Sequence, residues 1–414
     1  MSHCAFLSPH LKLFILAAWL LGPAAVFAGS LEQAKRIHER LTGIPPTESI
    51  LINMKESIDA TGDGLAAADI AMANDAFYRV TIKNWAAPWT NRDQSIFVPL
   101  NDYIATVMGL VRDGTDFRQV LYGDVIYVGN GVSPTYANSN NDHYAALEDT
   151  ADGSGQPYVL KDVLQSRTQS SVTGLPTEAT AGVMTTRAAA RAFFIAGTNR
   201  AQLRFTLMNH LCLDLEQLHD ITRAPDRIRQ DVSRSPGGDA RAFLNGCLGC
   251  HSGMDPLAQA FAYYNYVYDA ENDLTGENGQ IDYNDVNELG DTDVVMQTRV
   301  QSKYHINSTT FPYGFVTPDD SWSNYWRDGV NERLVWDSTL PGSGNGAKSM
   351  GMELAHSQAF AQCQAKKVFR AVCLREPADQ DDRDKVTAMV GTLSASGFQM
   401  KTVFAEAADY CKGE

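Results

Sequence analysis

Cys247-Leu248-Gly249-Cys250-His251 is a C-x-x-C-H pentapeptide, and its reading decides what the rest of the chain must build. Two cysteines three positions apart on a helical turn can each form a thioether to one of the two vinyl groups of a haem. The histidine that follows then lies beneath the macrocycle, where a neutral imidazole ligates the iron on the proximal side. The pattern predicts one covalent haem c, with Cys247 and Cys250 as attachment points and His251 as the iron ligand. Two other readings of paired cysteines fit less well. A structural zinc takes about four ligands, and no second Cys/His pair stands at zinc-finger spacing. A thioredoxin-like dithiol belongs to a strand–helix junction, which the preceding Phe243-Leu244-Asn245-Gly246 does not suggest.

The amino-terminal stretch agrees with a covalently bound haem. Residues 1–28 have the three parts of a secretory signal peptide. Lys12 and the amino terminus are positive, Leu13 to Leu21 is uninterruptedly apolar, and Gly22-Pro23 ends that run. Val26-Phe27-Ala28 then offers a cleavage site before Gly29. The apolar run is short of the ~20 residues that span a bilayer, and Cys4 precedes it, so no lipid-attachment pattern forms. The expectation is export to the periplasm of a Gram-negative bacterium, with no membrane anchor once the signal is cleaved.

The chain of 414 residues carries 34 Lys and Arg against 49 Asp and Glu, a formal net charge of −15. Such an acidic protein is unsuited to nucleic acid or anionic membrane surfaces. Much of the imbalance is local: Asp269 to Asp293 holds nine acidic side chains and no Lys or Arg. Apart from Cys4 and the motif pair, four cysteines remain, Cys212, Cys363, Cys373 and Cys411. In an oxidising compartment an even number suggests two disulfides. Cys363 and Cys373 read as members of one helix, Glu353 to Cys373, about 15 Å apart, too far for a disulfide whose Cα atoms must lie within about 7 Å. Two pairings remain, of which Cys373–Cys411 with Cys212–Cys363 is the favoured expectation.

The periodicity is mainly helical. Ser30 followed by Gln33 has the form of a capping box, with Leu31, Ala34, Ile37 and Leu41 on one face before Gly43 and Pro45-Pro46. Further helices are expected around 47–58, 65–78, 100–112 and 116–122, and a short extended segment from Asp124 to Gly129. Residues 130–158 read as loop. From Thr185 to Leu218 the pattern is helical with a break near Gly197-Thr198-Asn199, and Asp239 is placed to cap the motif helix. Residues 304–349 are aromatic and loop-rich, and 350–414 return to helices. Three other patterns fall short of a site. Asp59 to Gly64 starts like a calcium loop but has Ile70 where the bidentate Glu belongs. Gly342 to Ser349 resembles a phosphate loop with Ala347 in place of a required glycine. The acidic 269–293 stretch matches no EF-hand spacing and reads as a solvated loop.

Around the motif the wording becomes familiar. Cys247 to His251 continues as Ser252-Gly253-Met254-Asp255-Pro256-Leu257, with Phe261 beyond, and this resembles the "CxxCH…MDPLG" signature of planctomycete-type cytochromes. Ala181-Gly182-Val183-Met184-Thr185 and Asn209-His210-Leu211-Cys212 resemble earlier parts of the same domain. Asp116 to Tyr122, with Tyr127 and Asn130, resembles the domain before it. Ser357, Phe360 and Cys363 through Leu374-Arg375 resemble the carboxy-terminal companion. The likeness covers roughly 95–265 and 350–414, and the 269–349 insertion departs from it. It implies haem c and a redox role, without a substrate. The expected fold is mainly α, a multi-helical cytochrome-c-like haem module with flanking helical domains and a loop-rich insertion. The expected segments are a signal peptide (1–28), an N-terminal helical domain (29–170), the haem module (171–268), the acidic and aromatic insertion (269–349) and a C-terminal helical domain (350–414).

The sixth iron ligand separates a carrier from an enzyme, because a second strong ligand saturates the iron for electron transfer while an open position admits small molecules. Met254 is on the proximal side. Met350 or Met352 is the expected distal ligand, with Met296, His305 and His356 as alternatives. The leading expectation is a periplasmic monohaem c-type electron carrier without catalytic residues. A redox protein, such as a small basic cytochrome, would be its partner, attracted by the acidic surface. One alternative is a haem-dependent oxidase- or peroxidase-like enzyme whose pocket uses Phe311, Tyr313, Phe315, Trp322, Tyr325 and Trp326. Another is a structural or assembly protein stabilised by its haem.

Overall fold

The computed structural model describes residues 28–149, 153–195, 198–285 and 298–413. Nearly all of the expected signal segment, and Met296, lie outside them. Of the described residues 56% are in helix and 8% in strand, which places the fold in the mainly-α class. Among the described residues there are twelve helices of eight residues or more: α1 Ser30–Thr42, α2 Glu48–Thr61, α3 Leu65–Met72, α4 Asp102–Asp113, α5 Asp142–Asp149, α6 Arg187–Phe194, α7 Asn199–His210, α8 Leu248–Ala258, α9 Gly346–Ala355, α10 Gln358–Cys373, α11 Gln380–Ala395 and α12 Met400–Tyr410.

Both ends of the described chain meet in one bundle, because α1 packs against α10 and α12 and α3 against α12, with α2 against α1 and α3 and α11 against α10 and α12. Buried Ala34, Ile37 and Leu41 of α1, four positions or fewer apart, supply the apolar stripe. The link from α2 to α3 is short because Gly62 takes the left-handed conformation (φ 80°) that ends α2, and Gly64 N–H donates to Asp409 Oδ1 of α12 at 2.6 Å. The calcium-like stretch is thus a helix-to-helix turn. Helix α4 runs through the middle, since ten of its twelve residues are buried. Its buried Asp102 accepts the first backbone N–H groups of α6, Arg187 at 2.6 Å and Ala188 at 3.1 Å, so a carboxylate meets the positive end of that helix.

Among the described residues three two-stranded antiparallel ladders complete the frame. They pair Ile126–Gly129 (β1) with Leu164–Arg167 (β2), Tyr264–Tyr268 (β3) with Gly279–Tyr283 (β4), and Ser321–Ser323 (β5) with Ser343–Asn345 (β6). The stretch expected to be loop therefore contributes strands, and it also supplies Trp322, Trp326 and Leu334 to the main buried core. Buried Glu353 of α9 holds it in place, accepting from Arg327 Nη2 at 2.7 Å and Asn324 Nδ2 at 2.8 Å.

Several local expectations are corrected by side-chain partners. The first helix is capped by Gly29, not Ser30, whose Oγ donates instead to Asp59 Oδ1 at 2.5 Å, so no capping box forms. Residues 130–158 contain α5, whose first turn is met by Asn140 Oδ1 accepting from Asp142 N–H. The helix expected from Glu353 to Cys373 is two helices. Ser357 leaves the helical path and its Oγ caps α10 by accepting from Phe360 N–H at 3.2 Å. Cys363 and Cys373 still share α10.

The expected disulfides are present, Cys212–Cys363 with Cα atoms 5.3 Å apart and Cys373–Cys411 with 5.5 Å. The first closes 151 residues and the second 38. Peptide mapping without reduction is expected to recover both links. Replacing either pair by alanine should lower stability by roughly 2–4 kcal/mol, read from denaturant titration, with the longer loop losing more.

Candidate functional site

The motif sits where a distorted helix becomes regular. Asp239 caps its start by accepting Arg241 N–H at 2.9 Å, a π-turn spans Phe243–Cys247, and α8 runs on from Leu248. A π-turn inserts an extra residue into the helical repeat and re-aims the side chains that follow. It lets Phe243 bury itself with Ile228 and Val232 while Cys247 stays at the edge of that small cluster, half exposed. Cys250 is also half exposed, its Sγ 3.4 Å from Leu215 O. Burial, with Glu216 nearby, raises the Cys250 thiol above its ordinary value. A reactive redox dithiol needs the opposite shift. Among the described residues no group of three or more His, Cys, Asp or Glu is gathered for a metal ion.

His251 is oriented by a buried carboxylate four residues on. Its Nδ1 lies 3.1 Å from Asp255 Oδ1, and the Asp255 side chain has no exposed surface. Arg200 clamps the same carboxylate from the first turn of α7, Nε to Oδ1 at 2.7 Å and Nη2 to Oδ2 at 2.8 Å. Arg229 N–H adds a weaker donor to Oδ2 at 3.3 Å. Behind them Asp231 accepts from both Arg200 and Arg229, and Arg229 Nη1 also reaches Asn199 Oδ1 at 2.9 Å. Burial alone would push Asp255 up, but Arg200 and the His251 hydrogen bond outweigh it and hold the carboxyl far below the usual range. Asp255 is therefore an anion and can only accept. The proton at the shared hydrogen bond belongs to His251 Nδ1, which leaves the Nε2 lone pair free for a metal.

The other face of α8 is shaped by two glycines one turn apart. A Cβ on Gly249 would overlap the His219 ring, and one on Gly253 would overlap the Trp326 indole. Asp220 N–H donates to Gly249 O at 3.0 Å, fixing the 215–220 segment along the motif. Trp326, fully buried, is the point at which the 269–349 segment presses on the motif helix.

The expected distal candidates differ in burial and in their partners. Met350 is fully buried in the main core on α9, and Met352 is half buried. Helix α9 packs chiefly on the helical turn Gln119–Tyr122, whereas α8 packs chiefly on α7, the 215–218 turn, β5 and the 325–327 turn. His356 Nδ1 lies 2.8 Å from Met352 O and its ring leans on Tyr122, while His305 Nε2 lies 2.8 Å from Thr317 O. The six aromatics proposed for a pocket do not share a face: Trp322 and Trp326 are core, and Tyr313 is 92% exposed. An open groove of about 1220 Å³ lies between the terminal bundle and α7, lined by Trp85, Trp89, Met208, Gln217 and Lys367, and does not include the motif. Missed from sequence were the role of Asp255 and the identity of its partners Arg200, Arg229 and Asp231. The i, i+4 spacing of His251 and Asp255 was the one available signal.

Comparison with known protein families, with curated proteins and with solved structures finds no match for this chain.

Two expectations follow from this packing. Gly253→Ala should lower stability by ~1–3 kcal/mol in denaturant melts, because the indole has to move. Gly246→Ala, with nothing within 4 Å, should be neutral or stabilising by up to ~1 kcal/mol. The second concerns acid. Asp231 is held down to about 2 by its two arginines against the opposing effect of burial. A depressed folded value means the contribution is complete above the unfolded value of about 4 and is lost as pH falls from there toward 2. Unfolding free energies from denaturant titration at pH 5 and pH 2.5 should therefore differ less in Asp231→Asn than in the unmodified protein, by an amount on the order of 2 kcal/mol.

Proposed function

We propose that the protein is an exported monohaem c-type cytochrome that transfers electrons in the periplasm. One observation carries the reading: on a single helix, two thiols remain unpaired while the other described cysteines are bonded, and the adjacent His251 is held through Nδ1 by Asp255. The residues present suit a covalently bound haem, which Cys247 and Cys250 would hold by thioethers and His251 would ligate. Such a group supplies one-electron redox chemistry. The chain's part is to fix the imidazole tautomer, to exclude water behind the ring with Asp255 and Arg200, and to hold the helix between α7 and Trp326. The signal-like segment 1–28 supports export, and no helix among the described residues is long and apolar enough to cross a membrane.

For the sixth position Met352 is the better of the two proposed methionines, since Met350 fills the core. A small basic cytochrome is the proposed partner, because a net charge of −15 attracts cationic proteins over distances of about 10 Å and steers their approach.

Attachment is tested on protein matured with haem available. Haem is expected to survive acid–acetone extraction and to give a pyridine haemochrome typical of two thioethers. Cys247→Ala combined with Cys250→Ala should abolish both, and haem extracted completely from the unmodified protein would sink the reading. If a methionine is the distal ligand, the ferric form shows a weak near-infrared sulfur-to-iron band and the ferrous form resists carbon monoxide. Met352→Ala is expected to remove that band and admit carbon monoxide. Met350→Ala should instead cost stability, about 2–5 kcal/mol for an emptied core position.

A further inference from the structure

We propose that Asp255 is a positioning residue that sets the reduction potential of the iron through His251, with Arg200 acting in the opposite sense. This rests on the haem reading above and deepens it. Asp255 Oδ1 accepts a hydrogen bond from His251 Nδ1 at 3.1 Å inside a site with no solvent at the carboxylate. A carboxylate on the far nitrogen of a ligating imidazole raises the basicity of the ligand. With a haem bound, the negative charge behind the imidazole would favour ferric over ferrous iron.

The surrounding charges decide how large the effect is. Asp255 and Asp231 are offset by Arg200 and Arg229, so the quartet is neutral as a whole. Arg234 lies nearby, with its guanidinium donating to Val232 O and Ile228 O. A neutral quartet acts on the iron as a dipole, and its negative end is the one that touches the ring. Low exposure keeps water from screening it: the side chains of Asp255, Arg229, Asp231 and Arg200 are 0%, 3%, 13% and 17% exposed. The dipole also makes a prediction that packing alone does not. Removing the near charge and removing its counter-charge should move the potential in opposite directions.

The experiment compares equilibrium redox titrations of the haem-loaded unmodified protein with Asp255→Asn and Arg200→Gln. Asp255→Asn leaves the two arginines facing Asp231 alone, an excess positive charge, and weakens the hydrogen bond to the imidazole. It should raise the potential, with the ferrous-to-ferric ratio at fixed ambient potential increasing at least tenfold, which is 59 mV for a one-electron couple. Arg200→Gln leaves an excess negative charge beside the same ring and should lower the potential. Asp255→Glu keeps the charge and should restore part of the unmodified value. A structural role would move both variants the same way, or neither. That result, with haem covalently attached in all of them, overturns this inference and leaves the proposed function standing. If Asp255→Asn does not fold, the sign of the Arg200→Gln shift decides alone, a rise or no change overturning the proposal. Absence of covalent haem in the unmodified protein overturns the proposed function itself.

Discussion

Four donors from three stretches of chain converge on the two oxygens of Asp255, which has no exposed surface: two from Arg200, one from His251 and the backbone N–H of Arg229. An ionised carboxylate withdrawn from water is tolerated only when its lone pairs are met in this way, and removing one partner of such a buried pair costs about 3–5 kcal/mol. The arrangement of the chain around the motif follows from meeting that demand. Arg200 has to begin α7 beside α8, and Asn199 Nδ2 helps by donating to Ala258 O at the far end of the motif helix. The 228–231 loop has to turn inward to present Arg229. Residues 311–315 then run alongside it, with Phe315 N–H donating to Ile228 O at 2.9 Å and Gln230 N–H to Phe315 O at 3.3 Å. An anion on one helix thus recruits a second helix, a loop and part of the 269–349 stretch.

The opposite face of the same helix obeys a different constraint. There is no charge to satisfy there, only the need for two rings to come close. Gly249 and Gly253 give up their side chains so that His219 and Trp326 can lie against the backbone. Trp336 Nε1 donates to Trp326 O at 2.9 Å, and Arg327 next to it is bound by buried Glu353 of α9. The motif helix is consequently clamped on one face by charge and on the other by shape. Its two cysteines are left at the rim of a small apolar cluster.

The sequence made the helical class, the motif and the exclusion of one disulfide pairing legible because each depends on local spacing. Ala34, Ile37 and Leu41 reveal a helix face, and the shared helix of Cys363 and Cys373 rules out their union. What it could not reveal were contacts between distant positions. Arg200 looks like any arginine near a helix start, and only folding brings it to Asp255. The 304–349 stretch reads as loop because its tryptophans follow no helical or strand period, yet Trp322 and Trp326 are core. Ser30 failed as a cap for a related reason. Asp59, 29 residues away, competes for its hydroxyl. The burial of Met350 likewise depends on packing between distant elements.

The 151-residue span of the Cys212–Cys363 bond bears on the order in which the protein can mature. A chain crossing a membrane from its amino terminus exposes Cys212 first, then Cys247 and Cys250, and Cys363 only much later. In that interval the thiols nearest to Cys212 are the wrong ones. Cys247 and Cys250, three residues apart, are also the pair most readily joined to each other by exchange with a passing oxidant. On the proposed reading, conversion of both to thioethers withdraws them from exchange before Cys363 arrives. The prosthetic group would then serve the newly exported chain as a protecting group, so that the remaining four sulfurs meet no competitor when they sort themselves into two bridges.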